Sequence, residues 1–297
     1  MTKKLLYVFL CVIVISSCKS NTSKYNESFE GTDSTISEAI PVAKSSMEDL
    51  VQNISSPVEM AALIKSIGTP FSQKYLASTN IDNYNTSYSK AFNLGVYSAD
   101  LGYLNMYSKT SSVLSYITSI KNLAEGINIG QFFDFATLKR LATNNENIDS
   151  LMFIAVHSFN VMDEYLRKNN RSNLSALMVT GVYIEGLYLM TQVCKDKYNA
   201  KLADNIGEQK TIFEQLMLIL KNYQKDQYFA NLITELDKIQ KAFEPVKITI
   251  EVGEPKSVEK DGMLTIIQTS KSIVHMDDTM LKDIIAKTEM VRNTLIK

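Results

Sequence analysis

From about Ser46 to the C-terminus, the apolar residues of this 297-residue chain recur every three or four positions, and no other feature limits its fold as strongly. A side chain returns to the same face of an α-helix about every 3.6 residues, so an i, i+3, i+4, i+7 stripe gives a segment one face to bury against another helix. Met47, Leu50, Val51 and Ile54 form the first stripe, and Met60, Leu63, Ile64 and Ile67 the second. The second helix starts at Ser56-Pro57-Val58-Glu59, with Ser56 as N-cap and Pro57 in the first turn, and Gly68 before Pro70 stops it. The same reasoning predicts helices over 84–108, 112–125, 132–142, 174–195, 200–223 and 227–243, and one from Asn147 or Asp149 to Lys168. A last helix follows the Asp277-Asp278-Thr279 cap and turns Leu281, Ile284, Ile285, Val291 and Leu295 inward. Five prolines and eleven glycines in the whole chain suit helices better than a turn-rich β fold.

One interval breaks the pattern. Residues 246–275 contain Gly253, Pro255 and Gly262, and Lys247-Ile-Thr-Ile-Glu-Val252 alternates with a period of two, with Met263–Ile267 as its expected partner across a loop. The predicted fold is therefore all-α: an antiparallel helical bundle or array of helical hairpins, with a small irregular or β-hairpin insertion before the last helix. Residues 41–297 form a single domain, long enough to bury a sizeable core.

The N-terminus reads as an address. Lys3 and Lys4 precede the apolar run Leu5–Ile15, which suits a signal peptide and is too short to persist as a membrane-spanning helix. It ends in Ile15-Ser16-Ser17-Cys18, a lipobox. Residues 1–17 are thus expected to be cleaved and Cys18 to carry a diacylglyceryl anchor, with 18–40 as a flexible tether. From Lys19 to about Ser37 the tether has too little apolar surface to offset the entropy of ordering it. No acidic run directly follows Cys18, which favours the periplasmic face over the cell surface. With Cys11 removed and Cys18 lipidated, Cys194 has no intramolecular disulfide partner and reads as a small buried hydrophobe. The net charge of −1, or −3 once Lys3 and Lys4 are lost, lacks the basic stripe of a nucleic-acid binder.

Gly95-Val96-Tyr97-Ser98-Ala99-Asp100-Leu101 has a loose echo in Gly181-Val182-Tyr183-Ile184-Glu185-Gly186-Leu187. Gly95, Ala99, Gly102 and Met106 line one side of their helix, where a second backbone can approach closely. Tyr97, Asp100 and Tyr107 line the other, with Tyr103 beside them. An acid among tyrosines on an apolar helix needs partners once buried. Tyr97, Asp100, Tyr103 and Tyr107 therefore form either a structural hydrogen-bond network or the lining of a small-ligand pocket, and Glu185 invites the same two readings.

Signals for chemistry are sparse. His157, Asn160 and Glu164 share a helical stripe with Asp163 nearby, but no glutamate has a histidine three residues later, as carboxylate-bridged di-iron bundles require. His157 and His275 are the only histidines, and no haem-attachment, nucleophile-elbow, phosphate-loop or dinucleotide-binding motif is present. No catalytic residue, metal ligand or cofactor is assigned.

Pro57-Val-Glu-Met-Ala-Ala-Leu63 and Asn93-Leu-Gly-Val-Tyr-Ser-Ala-Asp-Leu101, behind a lipobox, resemble a family of uncharacterised helical lipoproteins of Bacteroidetes-type bacteria. The resemblance extends to the last helix with Ile284, Val291 and Arg292. It implies a diderm envelope and anchoring at the outer membrane, without an activity or cofactor. The expected function is a non-enzymatic binding or adaptor module that meets a protein, peptide or glycan partner. The alternatives are a small-ligand carrier with a pocket around Asp100, and a hydrolase whose carboxylates, such as Asp100 and Glu185, approach within roughly 5–10 Å across a cleft.

Overall fold

The computed structural model describes residues 63–142, 148–253, 256–260, 263–267 and 270–297. Cys18, the tether, the expected 46–54 helix and the start of the next helix lie outside them. Eight helices follow the last turn of that second helix: α1 (Ser87–Met106), α2 (Thr110–Glu125), α3 (Phe135–Ala142), α4 (Ile148–Lys168), α5 (Ser172–Asp196), α6 (Ala200–Lys221), α7 (Gln227–Phe243) and α8 (Asp278–Leu295). The fold is all-α with a β excursion before the last helix.

Local chemistry sets the helix ends. Thr86 caps α1 through a reciprocal pair with Ser89, so the helix starts later than Tyr84, where periodicity alone put it. Asn199, Asp226 and Asp277 cap α6, α7 and α8 with their side chains, the last as expected from its sequence. Gly68, at φ +69°, closes the helix that precedes α1 in a conformation costly for any residue with a Cβ.

Helices α1 and α5 form the centre and pack against each other more extensively than any other pair. Every residue of α5 from Leu174 to Cys194 is buried. Around this pair, α2 packs on α1, while α8 bridges α5 and α7, and α6 joins α5 to α7. Among the described residues, α5 is the one helix long and apolar enough to cross a membrane, and here its apolar stretch is buried inside the fold. On α8, Leu281, Ile284, Ile285 and Val291 are buried and Leu295 packs against the core, as the periodicity predicts.

The insertion departs from the expected pairing. β1 (Lys247–Val252) pairs antiparallel with β4 (Ser270–His275), and Met263–Ile267, expected as its partner, is instead β3, paired with β2 (Lys256–Lys260). Along the chain the two ladders nest, with β2 and β3 lying between β1 and β4. The outer register places Ile248 opposite Val274, and Val274 packs against the helical body beside Gly207 of α6. That contact ties the base of the ribbon to the core and selects β4 as the partner of β1.

Candidate functional site

The site grows from the crossing of α1 and α5. A Cβ on Gly95 would strike the carbonyl oxygen of Met178 and lie 2.7 Å from Val182 N. A Cβ on Gly181 would strike the carbonyl oxygen of Phe92 and lie 3.1 Å from Val96 N. Each glycine thus meets the residues three before and one after its counterpart, so the repeated Gly-Val-Tyr is the contact of two helices related by a local pseudo-twofold. Two positions on, Tyr97 and Tyr183 are both buried and donate their hydroxyls to backbone carbonyls, of Ser78 and Gln209 respectively.

The close approach brings together the two acids. Asp100 on α1 and Glu185 on α5 are each 0 % exposed. Arg292 of α8 grips Glu185 in a two-pronged pair, Nε to Oε2 at 2.8 Å and Nη2 to Oε1 at 2.5 Å. Its guanidinium also lies 4.3 Å from the centre of the Tyr188 ring. Such a planar fork matches a carboxylate and stacks on an aromatic face, which an ammonium cannot do. Asp100 lies beside Glu185; its Oδ2 accepts the Ala77 N–H at 2.9 Å, whereas Oδ1 is buried with no partner. Burial, then the neighbouring Glu185, hold the Asp100 carboxyl well above the usual carboxylate range, against the opposing pull of Arg292 and the Ala77 amide.

Over this cluster runs residues 69–80, a strap with a single 3-10 turn, Gln73–Tyr75. Side chains of the helical body satisfy its backbone. Tyr107 donates to the Thr69 carbonyl at 2.7 Å, Tyr103 accepts the Ser72 N–H at 3.1 Å, and Arg292 reaches the Tyr75 carbonyl at 3.4 Å. Asp100 takes the Ala77 amide, Tyr116 of α2 donates to the Ala77 carbonyl, and Ser119 donates to the Thr79 carbonyl at 2.9 Å. An irregular segment lacks a ladder for its polar groups, and these side chains replace one. Burial pushes the Tyr103 phenol up to about 12 and raises those of Tyr97 and Tyr116 further, so the hydroxyls bonded to the strap stay protonated. Phe71 stacks on Tyr103 with centroids 5.5 Å apart, and Tyr75 donates to Asp196 beside the Lys74–Asp196 ion pair.

Of the residues singled out in the sequence, Asp100 and Glu185 are buried as neighbours, and Tyr97, Tyr103 and Tyr107 spend their hydroxyls on the strap. Cys18 lies outside the described residues. On α4, His157 is exposed and stacks on Phe153, with centroids 6.2 Å apart, while Asp163 turns inward to Ser175 and Arg167. Cys194 is buried and its thiol is raised by burial. Sequence reasoning missed Arg292 as the partner of Glu185, and with it Tyr75 and Tyr116. A signal was present: Arg292 follows Ile284, Ile285, Thr288 and Val291 on the buried face of α8, where a lone cation implies a buried acid.

Chemically, the arrangement is a guanidinium and two carboxyl groups withdrawn from water and closed by a strap, suited to fixing the relative positions of α1, α5 and α8. No family model matches the chain, and neither a curated protein nor a solved structure is found to be similar to it.

Proposed function

We propose that this chain is a lipid-anchored protein of the cell envelope, tethered through Cys18 at the periplasmic face of an outer membrane, and that it works as a non-enzymatic binding or adaptor module. The resemblance to envelope lipoproteins and the lipobox Ile15-Ser16-Ser17-Cys18 support the location. The observation that carries the binding role is the internal use of the reactive polar groups. Inside the fold, at 0 % exposure, Glu185 is paired with Arg292 and Asp100 holds the Ala77 amide, and the tyrosine hydroxyls are bonded to the strap. A hydrolase would need the two carboxyls open to substrate, and a ligand pocket would need the hydroxyls free. What remains for function is the outer surface, where Ile250 stands 71 % exposed on the β1–β4 ribbon. Scattered exposed apolar residues are ordinary, but β-branched ones on a two-stranded ribbon are a natural surface for a partner.

Two measurements test the proposal. Replacing Cys18→Ala is expected to move the protein from the membrane to the soluble fraction and to abolish labelling by radioactive fatty acid; persistent labelling contradicts the anchor. Affinity capture of the lipidated protein from solubilised membranes is expected to recover a protein, peptide or glycan partner. Turnover of substrate by the purified protein with no partner recovered contradicts the adaptor role.

A further inference from the structure

The strap closes over two acids and one base. Arg292 commits Nε and Nη2 to the two oxygens of Glu185, so one negative charge is matched. Asp100 has no cation of its own: Oδ2 holds the Ala77 amide of the strap, and Oδ1 is buried without a donor. Ionised, that oxygen would be an unsolvated acceptor beside a second carboxylate, a strongly unfavourable arrangement. Protonated, Oδ1 becomes a donor with Glu185 as its neighbour, and two acids, one proton and one guanidinium carry no net charge. We infer that Asp100 keeps a proton beside the Arg292-bound Glu185, and that this proton latches the 69–80 strap onto the helical body.

The surroundings leave Asp100 as the group that changes charge. Tyr97 and Tyr103 face Asp100 from α1, Tyr116 from α2, Tyr188 from α5 beside Glu185, and Tyr84 from the segment before α1. All are raised by burial and stay neutral, and Arg292 on α8 is held charged by Glu185 and Asp100.

Lifting the strap lets water reach Asp100, whose affinity for its proton then falls toward the ordinary value. The closed state binds the proton more tightly than the open one, so low pH favours closure. The latch is complete below the ordinary carboxylate range. It weakens by up to about tenfold for each pH unit from there to the raised value of the closed state, and is level above it. On a chain outside the cytoplasm, as proposed above, such a latch loosens as the medium turns alkaline. The inference itself needs neither the anchor nor a partner.

Hydrogen exchange on the full chain tests it. Protection factors for the Ser72 and Ala77 amides, corrected for intrinsic exchange, are followed from about pH 4 to about pH 8, a range that starts in the ordinary carboxylate range. In the wild type they are expected to fall with rising pH by up to about tenfold per unit. Asp100→Asn keeps an acceptor for Ala77 N–H and offers an amide donor to Glu185, so its protection is expected to be flat and to match the wild type at low pH. Glu185→Gln removes one acid and is expected to flatten the profile as well. A flat wild-type profile, or an undiminished slope in Asp100→Asn, overturns the latch. Should neither variant fold, infrared titration of the wild type decides. A protonated carboxylic acid that persists above the range where surface carboxylates ionise supports the buried proton on Asp100, and ionisation of every carboxyl within that range overturns it.

Discussion

Gly95 and Gly181 occupy equivalent places on two crossing helices, each meeting the backbone three residues before the other, so neither has room for a side chain. That mutual contact sets how near α1 and α5 approach, and hence how near Asp100 comes to Glu185.

Gly95→Ala and Gly181→Ala are expected to destabilise the protein by about 3 kcal/mol or more each, since the new methyl meets backbone that cannot rotate away. Gly126→Ala is the control. Its φ of −64° is already helical, and the added Cβ would meet only the flexible Lys90 side chain, so the change is expected to be neutral or to stabilise by about 0.5 kcal/mol. Urea unfolding midpoints of the three variants check the order.

Arg292→Met strips the cation from two buried acids and is expected to cost about 3–5 kcal/mol, the usual penalty for breaking a buried pair from one side. Glu185→Met leaves Arg292 with only Asp100 and is expected to be less damaging. In the double variant much of the loss is expected to be recovered, because neither charge is then stranded. A double-mutant cycle measured by denaturation gives the coupling; strictly additive losses contradict the pairing.

Tyr116→Phe removes the hydroxyl that satisfies the Ala77 carbonyl and is expected to cost about 1–3 kcal/mol, since that contact is buried. Tyr107→Phe removes the donor to the Thr69 carbonyl nearer the surface, where water can substitute, and is expected to cost less than about 1 kcal/mol. Limited proteolysis within residues 69–80 reads the same order as strap release: Tyr116→Phe is expected to be cut faster than Tyr107→Phe.

Cys194, buried and with its thiolate disfavoured, is expected to react with a thiol reagent more slowly in buffer than in denaturant, by a factor on the order of 10³ or more. The measurement is made on mature-length chain carrying Cys18→Ala, which leaves Cys194 as its only thiol. Rapid labelling in buffer contradicts the packing of α5.

Much of the helical body was legible because its signals are local. The Asp277 cap and the Leu281, Ile284, Ile285, Val291 stripe identified α8 to within a residue at its start. The β excursion was legible in part: alternation in Lys247–Val252 marked a strand, but its partner depended on Val274 meeting α6, a contact between residues distant in sequence. The acids were singled out as needing partners, and Arg292, more than a hundred positions beyond Glu185, was not recognised as one.

By itself, then, the sequence determined most of the helices, the Asp277 cap, the small-residue face around Gly95 and the need of an acid on an apolar helix for partners once buried, since each follows from the spacing of neighbours along the chain. Only the tertiary structure decided that Gly95 meets Gly181, that Arg292 answers Glu185 while Asp100 is left without a cation, and that the tyrosines bind a strap. Those are matters of which faces pack together, and a helical stripe states that it must be buried without stating against what.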